Sequence, residues 1–175
     1  MATLIGGRTR RGWPQPTRVQ RFAPWAYAAG PELRLAPGER ILIVGPDRRA
    51  VASDRALYHR EASFAGWHRL GWEQIDELNW DPDRAELTVT AGADQDRRKL
   101  PGSGRFASVA RERMSSTLLV QVRVTLRDGR TAQVTARRRP GSDELRWVVR
   151  LPGADATDDD QVAEAIHQVR VLHGL

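Results

Sequence analysis

The sequence contains no cysteine among its 175 residues. This absence excludes disulfide frameworks, thiolate zinc sites, iron–sulfur ligation and cysteine nucleophiles. Aromatic residues make up only 6% of the chain. No apolar run approaches the ~18–20 residues that a transmembrane helix needs. With 40% hydrophobic and 29% charged residues, the composition predicts a globular protein without a transmembrane segment.

Motifs for catalysis are also missing from the sequence. Lys99 is the only lysine, and its neighbours exclude a GxxxxGK[ST] phosphate loop and an SxxK nucleophile pair. Gly102-Ser103-Gly104 is a lone GxG without the third glycine of a dinucleotide-binding loop. We therefore expect a protein that is not an enzyme and that requires no cofactor.

The four histidines match no established spacing of metal ligands. His59 and His68 could face each other on adjacent strands, and Asp54 or Glu61 could then complete a metal site. The acidic run Asp158–Asp160 lacks the order of a calcium loop and is better explained by capping of a helix. The sequence therefore predicts no metal.

The net charge is +6 and the isoelectric point is about 11.0. The charge alternates along the chain: residues 1–49 carry +6, residues 50–96 carry −6, residues 97–139 carry +10, and residues 140–175 carry −4. Either the block at 97–139 binds an anionic partner, or the alternating blocks neutralise one another in the fold.

The N-terminal part differs in composition from the rest of the chain. Residues 1–38 contain five prolines and five glycines, and they show neither helical nor strand periodicity. We expect a disordered or extended basic arm over 1–38 and a single domain over 39–175. The pair Arg10-Arg11 is similar to the start of an export signal, but no apolar segment follows it, so we expect a cytoplasmic protein.

Short apolar or alternating segments predict a series of antiparallel strands in the first half. The predicted strands are Ile41–Val44, Ala50–His59, Trp67–Leu70, Gln74–Trp80 and Leu87–Thr90, with a brief sixth strand at Arg98–Leu100. The mixed alternation in Gln74–Trp80 indicates a β-bulge.

The second half is predicted to begin with a helix over Arg105–Thr117, capped by Ser103. Strict alternation then predicts a strand over Leu118–Leu126. The next strand has the apolar set Ala132, Val134 and Ala136, and only a three-residue loop, 127–129, places this set on the face of Val122 and Val124.

A last strand over Leu145–Leu151 and a closing helix complete the predicted elements. A capping box from Thr157 to Asp160 begins this helix, which ends at Gly174. Its predicted buried residues are Val162, Ile166 and Val169, with Leu172 as a further candidate.

These elements predict an α+β fold. We expect two antiparallel sheets packed as a β-sandwich or partly open barrel, with an inserted helix and a C-terminal amphipathic helix.

Two segments resemble the opening of pleckstrin-homology-like domains, in particular GRAM domains and small bacterial members. They are Val51-Ala52-Ser53-Asp54-Arg55-Ala56-Leu57-Tyr58 and Leu70-Gly71-Trp72-Glu73-Gln74-Ile75. The resemblance covers residues 40–89 and implies this fold, but its matching positions are packing residues and bring no site residue with them. The whole chain, with Arg146-Trp147-Val148-Val149, also resembles uncharacterised proteins of high-GC Gram-positive bacteria.

The alternation of the last three strands predicts a basic sheet face. If Val122, Val134 and Val149 face the core, the opposite face carries arginines that could bind phosphate or carboxylate groups. These candidate binding residues are Arg123, Arg137, Arg146 and Arg150, joined at the hairpin end by Arg127 and Arg130. The alternative is that they pair with Asp143, Glu144 and the acids of 50–96.

Two functional hypotheses follow from the sequence. The first is a non-enzymatic interaction module that binds a protein partner or an anionic surface, such as lipid, through the basic sheet face. The second is a nucleic-acid-binding protein whose N-terminal arm supplies arginines and stacking aromatics. The absence of a recognition helix or an RNP-like motif argues against the second hypothesis. The sequence predicts no oligomeric state.

Overall fold

The computed structural model describes residues 32–60, 66–92, 96–150 and 159–175. Most of the predicted arm, residues 1–31, and the predicted capping residue Thr157 lie outside these ranges. Within them the chain forms three antiparallel sheets, two α-helices and one short 3-10 helix. The predicted α+β class is confirmed.

Ten strands and two α-helices are present in the described residues. The strands are β1 (Ile41–Val44), β2 (Ala50–Ser53), β3 (Ala56–His59), β4 (His68–Gly71), β5 (Ile75–Asp81), β6 (Glu86–Ala91), β7 (Asp96–Pro101), β8 (Leu118–Thr125), β9 (Thr131–Arg138) and β10 (Leu145–Arg150). The helices are α1 (Gly104–Ser116) and α2 (Asp159–His173), and the 3-10 helix is Trp72–Gln74.

The first sheet has the order β1-β2-β3-β4. The single strand predicted over 50–59 is wrong, because a tight turn divides it into β2 and β3. The hydroxyl of Ser53 accepts hydrogen bonds from the backbone N–H groups of Arg55 (3.1 Å) and Ala56 (2.8 Å). A serine that bonds the backbone two and three residues ahead favours a turn over a continuous strand.

The second sheet has the order β5-β6-β7. The predicted bulge is confirmed, since the register of β5 against β6 shifts between Ile75 and Glu77. The brief sixth strand is a full six-residue strand, β7, that forms an edge of this sheet.

Helix α1 packs against the buried residues between the first two sheets, and together they form what we call the first core. Ser103 is its N-cap, as predicted, and accepts a hydrogen bond from the Phe106 N–H at 3.2 Å. Phe106 and Ala110 are fully buried against residues of the first two sheets, and the buried Trp72 lies among them. The Trp72 indole N–H donates to the Ser53 carbonyl at 3.0 Å, which satisfies its polar atom inside the core.

The third sheet has the order β10-β9-β8. Its hairpin has the predicted register, with Val122 opposite Val134 and Val124 opposite Ala132. Gly129 has φ +84°, the left-handed conformation that the three-residue loop requires. The predicted hairpin is therefore confirmed.

Helix α2 packs on the apolar face of the third sheet. Ala165 and Val169 are fully buried there. The expectation of a buried Leu172 is wrong, because its side chain is 72% exposed. In the last turn of α2 the apolar residues point away from the sheet. In the middle of the helix, the small side chain of Ala165 allows the helix to lie close to the sheet.

The buried apolar residues form separate clusters. The largest lies between the first two sheets and α1, and a second lies between the third sheet and α2. Polar contacts connect these two parts: Arg137 bonds to the end of α1, and Arg146 bonds to the segment that joins β4 to β5.

Two residues of the predicted arm contact the domain. Leu33 and Leu35 lie within the predicted arm, and they pack against a small cluster that includes Val51 and Tyr58. Apolar residues two positions apart in an extended segment point to the same side, which explains this contact. The ordered contacts of the domain therefore begin before residue 39.

No helix in the described ranges is both long enough and apolar enough to cross a bilayer.

Candidate functional site

The third sheet has one apolar and one polar face. The register pairs Arg123 with Gln133 and Gln133 with Arg150, and it pairs Arg137 with Arg146. Directly paired residues share a face, so these four arginines lie on one side of the sheet, as the alternation predicted. The opposite side faces α2.

Arg137 occupies a structural position on this face. It is only 7% exposed, and its Nη1 atom donates to the Met114 carbonyl (2.9 Å) and to the Thr117 hydroxyl (3.1 Å). Burial lowers the pKa of its guanidinium. Arg137 is thus buried rather than exposed, because the end of α1 covers this part of the face.

Arg146 is also engaged within the chain. Its Nη1 atom donates to the Glu73 carbonyl at 3.0 Å and to the Asp76 carboxylate at 3.4 Å. Asp76 belongs to the acidic block of residues 50–96. The contact between Arg146 and Asp76 therefore agrees with the alternative prediction, in which the sheet arginines pair with acidic residues of the same chain.

The hairpin-end arginines pair with groups near α2. Arg127 forms an ion pair with Glu164 at 3.1 Å. Arg130 bonds to Asp128 at 2.7 Å and to the Gln161 side chain. The backbone N–H and guanidinium of Arg130 hold the pKa of Asp128 below its usual value. These contacts connect the hairpin to the helix.

Arg123 and Arg150 remain as exposed cations of the predicted site. Neither forms an ion pair within the ranges that the structure describes. They flank Gln133 in one row across β8, β9 and β10. Arg127 and Arg130 are exposed as well, but each forms an ion pair.

A second basic surface, which the sequence analysis missed, is more concave. It is a cleft of about 540 Å³ beside β7 and the adjoining ends of β2 and β3. We call it the basic cleft, and its lining residues are Arg49, His59, Arg60, Asp96, Arg97, Arg98, Lys99, Leu100 and Pro101. Five of these side chains are cationic and one is acidic.

The single acid of the basic cleft is already neutralised. Asp96 accepts hydrogen bonds from Nε (2.8 Å) and Nη2 (2.6 Å) of Arg98. Acids outside the lining contact other cations: Asp47 lies 3.9 Å from Arg49 and Glu32 lies 4.0 Å from Arg60. Lys99 contacts Glu86 at 3.0 Å. Exposed pairs of this kind contribute at most about 1 kcal/mol, so an anionic ligand can replace them.

His59 lies at the buried end of the basic cleft. It is 1% exposed, and its Nε2 atom lies 2.6 Å from Nη1 of Arg98. Its ring stacks on the ring of His68, with 5.3 Å between the two ring centroids. Because a guanidinium only donates, Nε2 accepts and the ring proton lies on Nδ1. Burial, followed by the charges of Arg98 and His68, lowers the pKa of His59 to about 4.

The two histidines face each other on β3 and β4, as predicted. Asp54, a proposed companion, instead accepts a hydrogen bond from the Arg40 backbone N–H at 2.8 Å. Glu61 lies outside the described residues. Among the side chains that the structure describes, no group of three or more His, Cys, Asp or Glu residues could hold a metal ion.

Sequence reasoning could not assemble the basic cleft, because its residues come from distant segments. Arg49 and the run Arg97-Arg98-Lys99 are brought together only by the packing of two sheets. The one signal in the sequence was that run, inside the most basic block of the chain.

The fold and its surfaces define an α+β protein with a concave basic cleft and a separate pair of exposed sheet arginines. Comparison with protein-family models, with curated proteins and with solved structures finds no match to this chain.

Proposed function

We propose that this protein is a non-enzymatic interaction module that binds a phosphorylated anionic ligand in the basic cleft. The carrying observation is that five cationic side chains surround one cleft whose single carboxylate is bound by Arg98. Arg97 is exposed and has no ion-pair partner in the described part of the chain.

The shape of the cleft favours a compact ligand. Its volume of about 540 Å³ lies in the range of small-molecule sites. Arginine forks bind phosphate oxygens in pairs, and charge-assisted hydrogen bonds are about twice as strong as neutral ones. A phosphorylated headgroup or a free sugar phosphate has this chemistry.

We also propose that the domain is pleckstrin-homology-like. The first two sheets are four-stranded and three-stranded meanders, and α1 closes their shared core. On this proposal β1 to β7 and α1 form the pleckstrin-homology-like unit, with the two sheets as a sandwich. The helix then ends that unit, and β8 to β10 with α2 are an addition to it.

The state of His59 supports a binding function over acid–base catalysis. The histidine is almost fully buried, and the Arg98 guanidinium covers its Nε2 atom. A general base must reach the proton that it removes. His59 instead positions Arg98 at the wall of the cleft.

Vesicle co-sedimentation tests the proposal. Phosphatidylcholine vesicles containing a phosphoinositide should bind the protein, and plain phosphatidylcholine vesicles should not. Isothermal titration with the free inositol phosphate separates recognition of the phosphate group from recognition of a membrane. Binding to vesicles without binding to the free headgroup would contradict a cleft site.

Two charge-matched variants locate the binding surface. Arg49→Glu with Arg97→Glu should reduce affinity by more than tenfold, because it reverses two cations of the basic cleft. Arg123→Glu with Arg150→Glu changes the net charge equally on the sheet face and should leave affinity within about threefold. The reverse result would place binding on the basic sheet face.

A gel shift with random DNA and RNA tests the alternative from the sequence. A polymer would contact an extended stripe, so its log affinity would fall steeply with log salt concentration. Tight, salt-dependent binding of nucleic acid together with no response to the phosphoinositide would overturn the proposal.

A further inference from the structure

A second cleft, of about 410 Å³, lies between the 3-10 helix Trp72–Gln74 and strand β10. It shares no lining residue with the basic cleft. We call it the mixed-charge cleft, and the lining residues that matter here are Arg69, Glu73, Arg139, Glu144 and Arg146.

Glu73 is the unusual residue of this cleft. It is only 7% exposed, yet its Oε2 atom has no hydrogen-bond partner and its carboxylate has no ion pair among the described residues. The carboxylate lies directly over Gly71, where any side chain would collide with it. The Gly71 N–H donates to the Gln74 side chain at 2.8 Å, which fixes the backbone beneath Glu73.

A buried carboxylate without a donor is energetically unfavourable. Arg146 lies close but donates to the Glu73 backbone carbonyl and to Asp76. Arg69 donates to the Tyr58 hydroxyl at 3.2 Å. Neither of these guanidinium groups donates to the Glu73 carboxylate in the described residues, and its Oε2 atom is left to accept from a group that enters the cleft.

The rim of the cleft carries a second pair of charges. Arg139 bonds to Glu144 at 2.7 Å. The Arg139 side chain is about half exposed, and the Glu144 side chain is about two-thirds exposed. The hydrogen bond and charge of Glu144, with a smaller contribution from Glu73, raise the pKa of Arg139. Arg139 thus lies within electrostatic reach of Glu73, at the accessible edge of the cleft.

We propose that the mixed-charge cleft binds a zwitterion of the α-amino acid class. The ligand ammonium group pairs with Glu73, and its carboxylate pairs with Arg139 at the rim. A simple anion would be repelled by Glu73 and Glu144, and a simple cation by the three arginines, so only a ligand with both charges matches this lining.

The volume agrees with this class of ligand, since about 410 Å³ lies at the small end of the range for ligand sites. The inference is independent of the proposed function, because the two clefts have different lining residues and different ligand chemistry.

The test uses the full chain and the free L-amino acids as probes, each at about 10 mM, which saturates a site of about 1 mM affinity. Thermal-shift measurements identify the ligand, and isothermal titration gives its affinity. We expect at least one amino acid to bind, and its C-terminal amide and its N-acetyl derivative to bind at least tenfold more weakly. If no amino acid binds, or if the N-acetyl derivative binds equally well, the proposal is overturned.

The variant Glu73→Gln removes the charge and keeps the size of the side chain. It should reduce affinity at least about tenfold while the protein still melts cooperatively. Glu77→Gln is the matched control, since Glu77 is exposed on β5, and it should bind as the original chain does. If Glu73→Gln lowers the melting temperature and leaves amino-acid affinity unchanged, Glu73 is a structural partner of Arg139 and the proposal fails.

Discussion

The guanidinium of Arg98 on β7 contacts the ring of His59 on β3, with 2.6 Å between Nη1 and Nε2. The contact joins an edge strand of the second sheet to the interior of the first. A protonated His59 ring could no longer accept a hydrogen bond from Arg98. The contact therefore also makes the stability of the fold sensitive to acid.

The first prediction concerns pH. The pKa of His59 is about 4 in the fold and 6.5 in an unfolded chain, so the unfolded state binds more protons between these values. The stabilisation is therefore complete above pH 6.5 and is lost as the pH falls towards 4, by roughly 3 kcal/mol in total. Urea unfolding between pH 4 and 7.5 measures this loss.

His59→Gln is the control for this measurement, since glutamine also offers an acceptor to Arg98 but does not titrate. The carboxylates titrate in both chains, so only the difference between the two proteins reports on His59. Identical pH dependence of the two would show that His59 does not titrate as its buried contact requires.

The second prediction separates two arginines of one sheet face. Arg146→Glu places a second carboxylate beside Asp76 and should lower the free energy of unfolding by about 2 kcal/mol, less than for a fully buried pair because Arg146 is 28% exposed. Arg123→Glu on the same face should change it by no more than about 0.5 kcal/mol. Equal effects in chemical denaturation would contradict the described contact of Arg146.

The third prediction concerns the loop between β8 and β9. Gly129 has φ +84°, so Gly129→Ala should destabilise the protein by about 1 kcal/mol. Gly104 begins α1 with open space around it, and Gly104→Ala should stabilise by about 0.5 kcal/mol. Thermal melts of the two alanine variants should therefore shift in opposite directions.

The fourth prediction concerns the start of the ordered domain. Leu33 and Leu35 pack on the first sheet, and the Ala36 N–H donates to the buried Glu39 carboxylate at 3.1 Å. A chain that starts at Glu39 should be less stable than one that starts at Glu32 by about 2 kcal/mol, since it loses two half-buried leucines. Equal urea midpoints of the two chains would contradict this prediction and support a domain boundary at residue 38, as predicted from the sequence.

The hairpin of β8 and β9 could be predicted because its register depends only on local parity and on one glycine. Apolar residues had to share a face, and Gly129 could adopt the left-handed conformation of the loop. The bulge in β5 followed from the same alternation. Where one face of a strand is buried, the two-residue alternation of apolar side chains is enough to determine the register of the strand.

Arg137 shows where that reasoning fails. The alternation of side chains placed Arg137 on the correct face of the sheet. Alternation does not show, however, what covers that face. The last turn of α1 lies there, because α1 runs through Thr117 directly into β8. The partners of Arg146 and the residues of the basic cleft also come from segments far apart in the chain, so no local pattern could identify them.

The separation of the two larger clusters bears on how the chain folds. The third sheet is a meander whose strands pair only with their neighbours in sequence, so most of its contacts are local. The first core depends on longer connections: Trp72 bonds to Ser53 across 19 residues, and Arg98 contacts His59 across 39. Local contacts form with less loss of chain entropy. The β8–β9 hairpin should therefore form early, and closure of the first core should limit the folding rate.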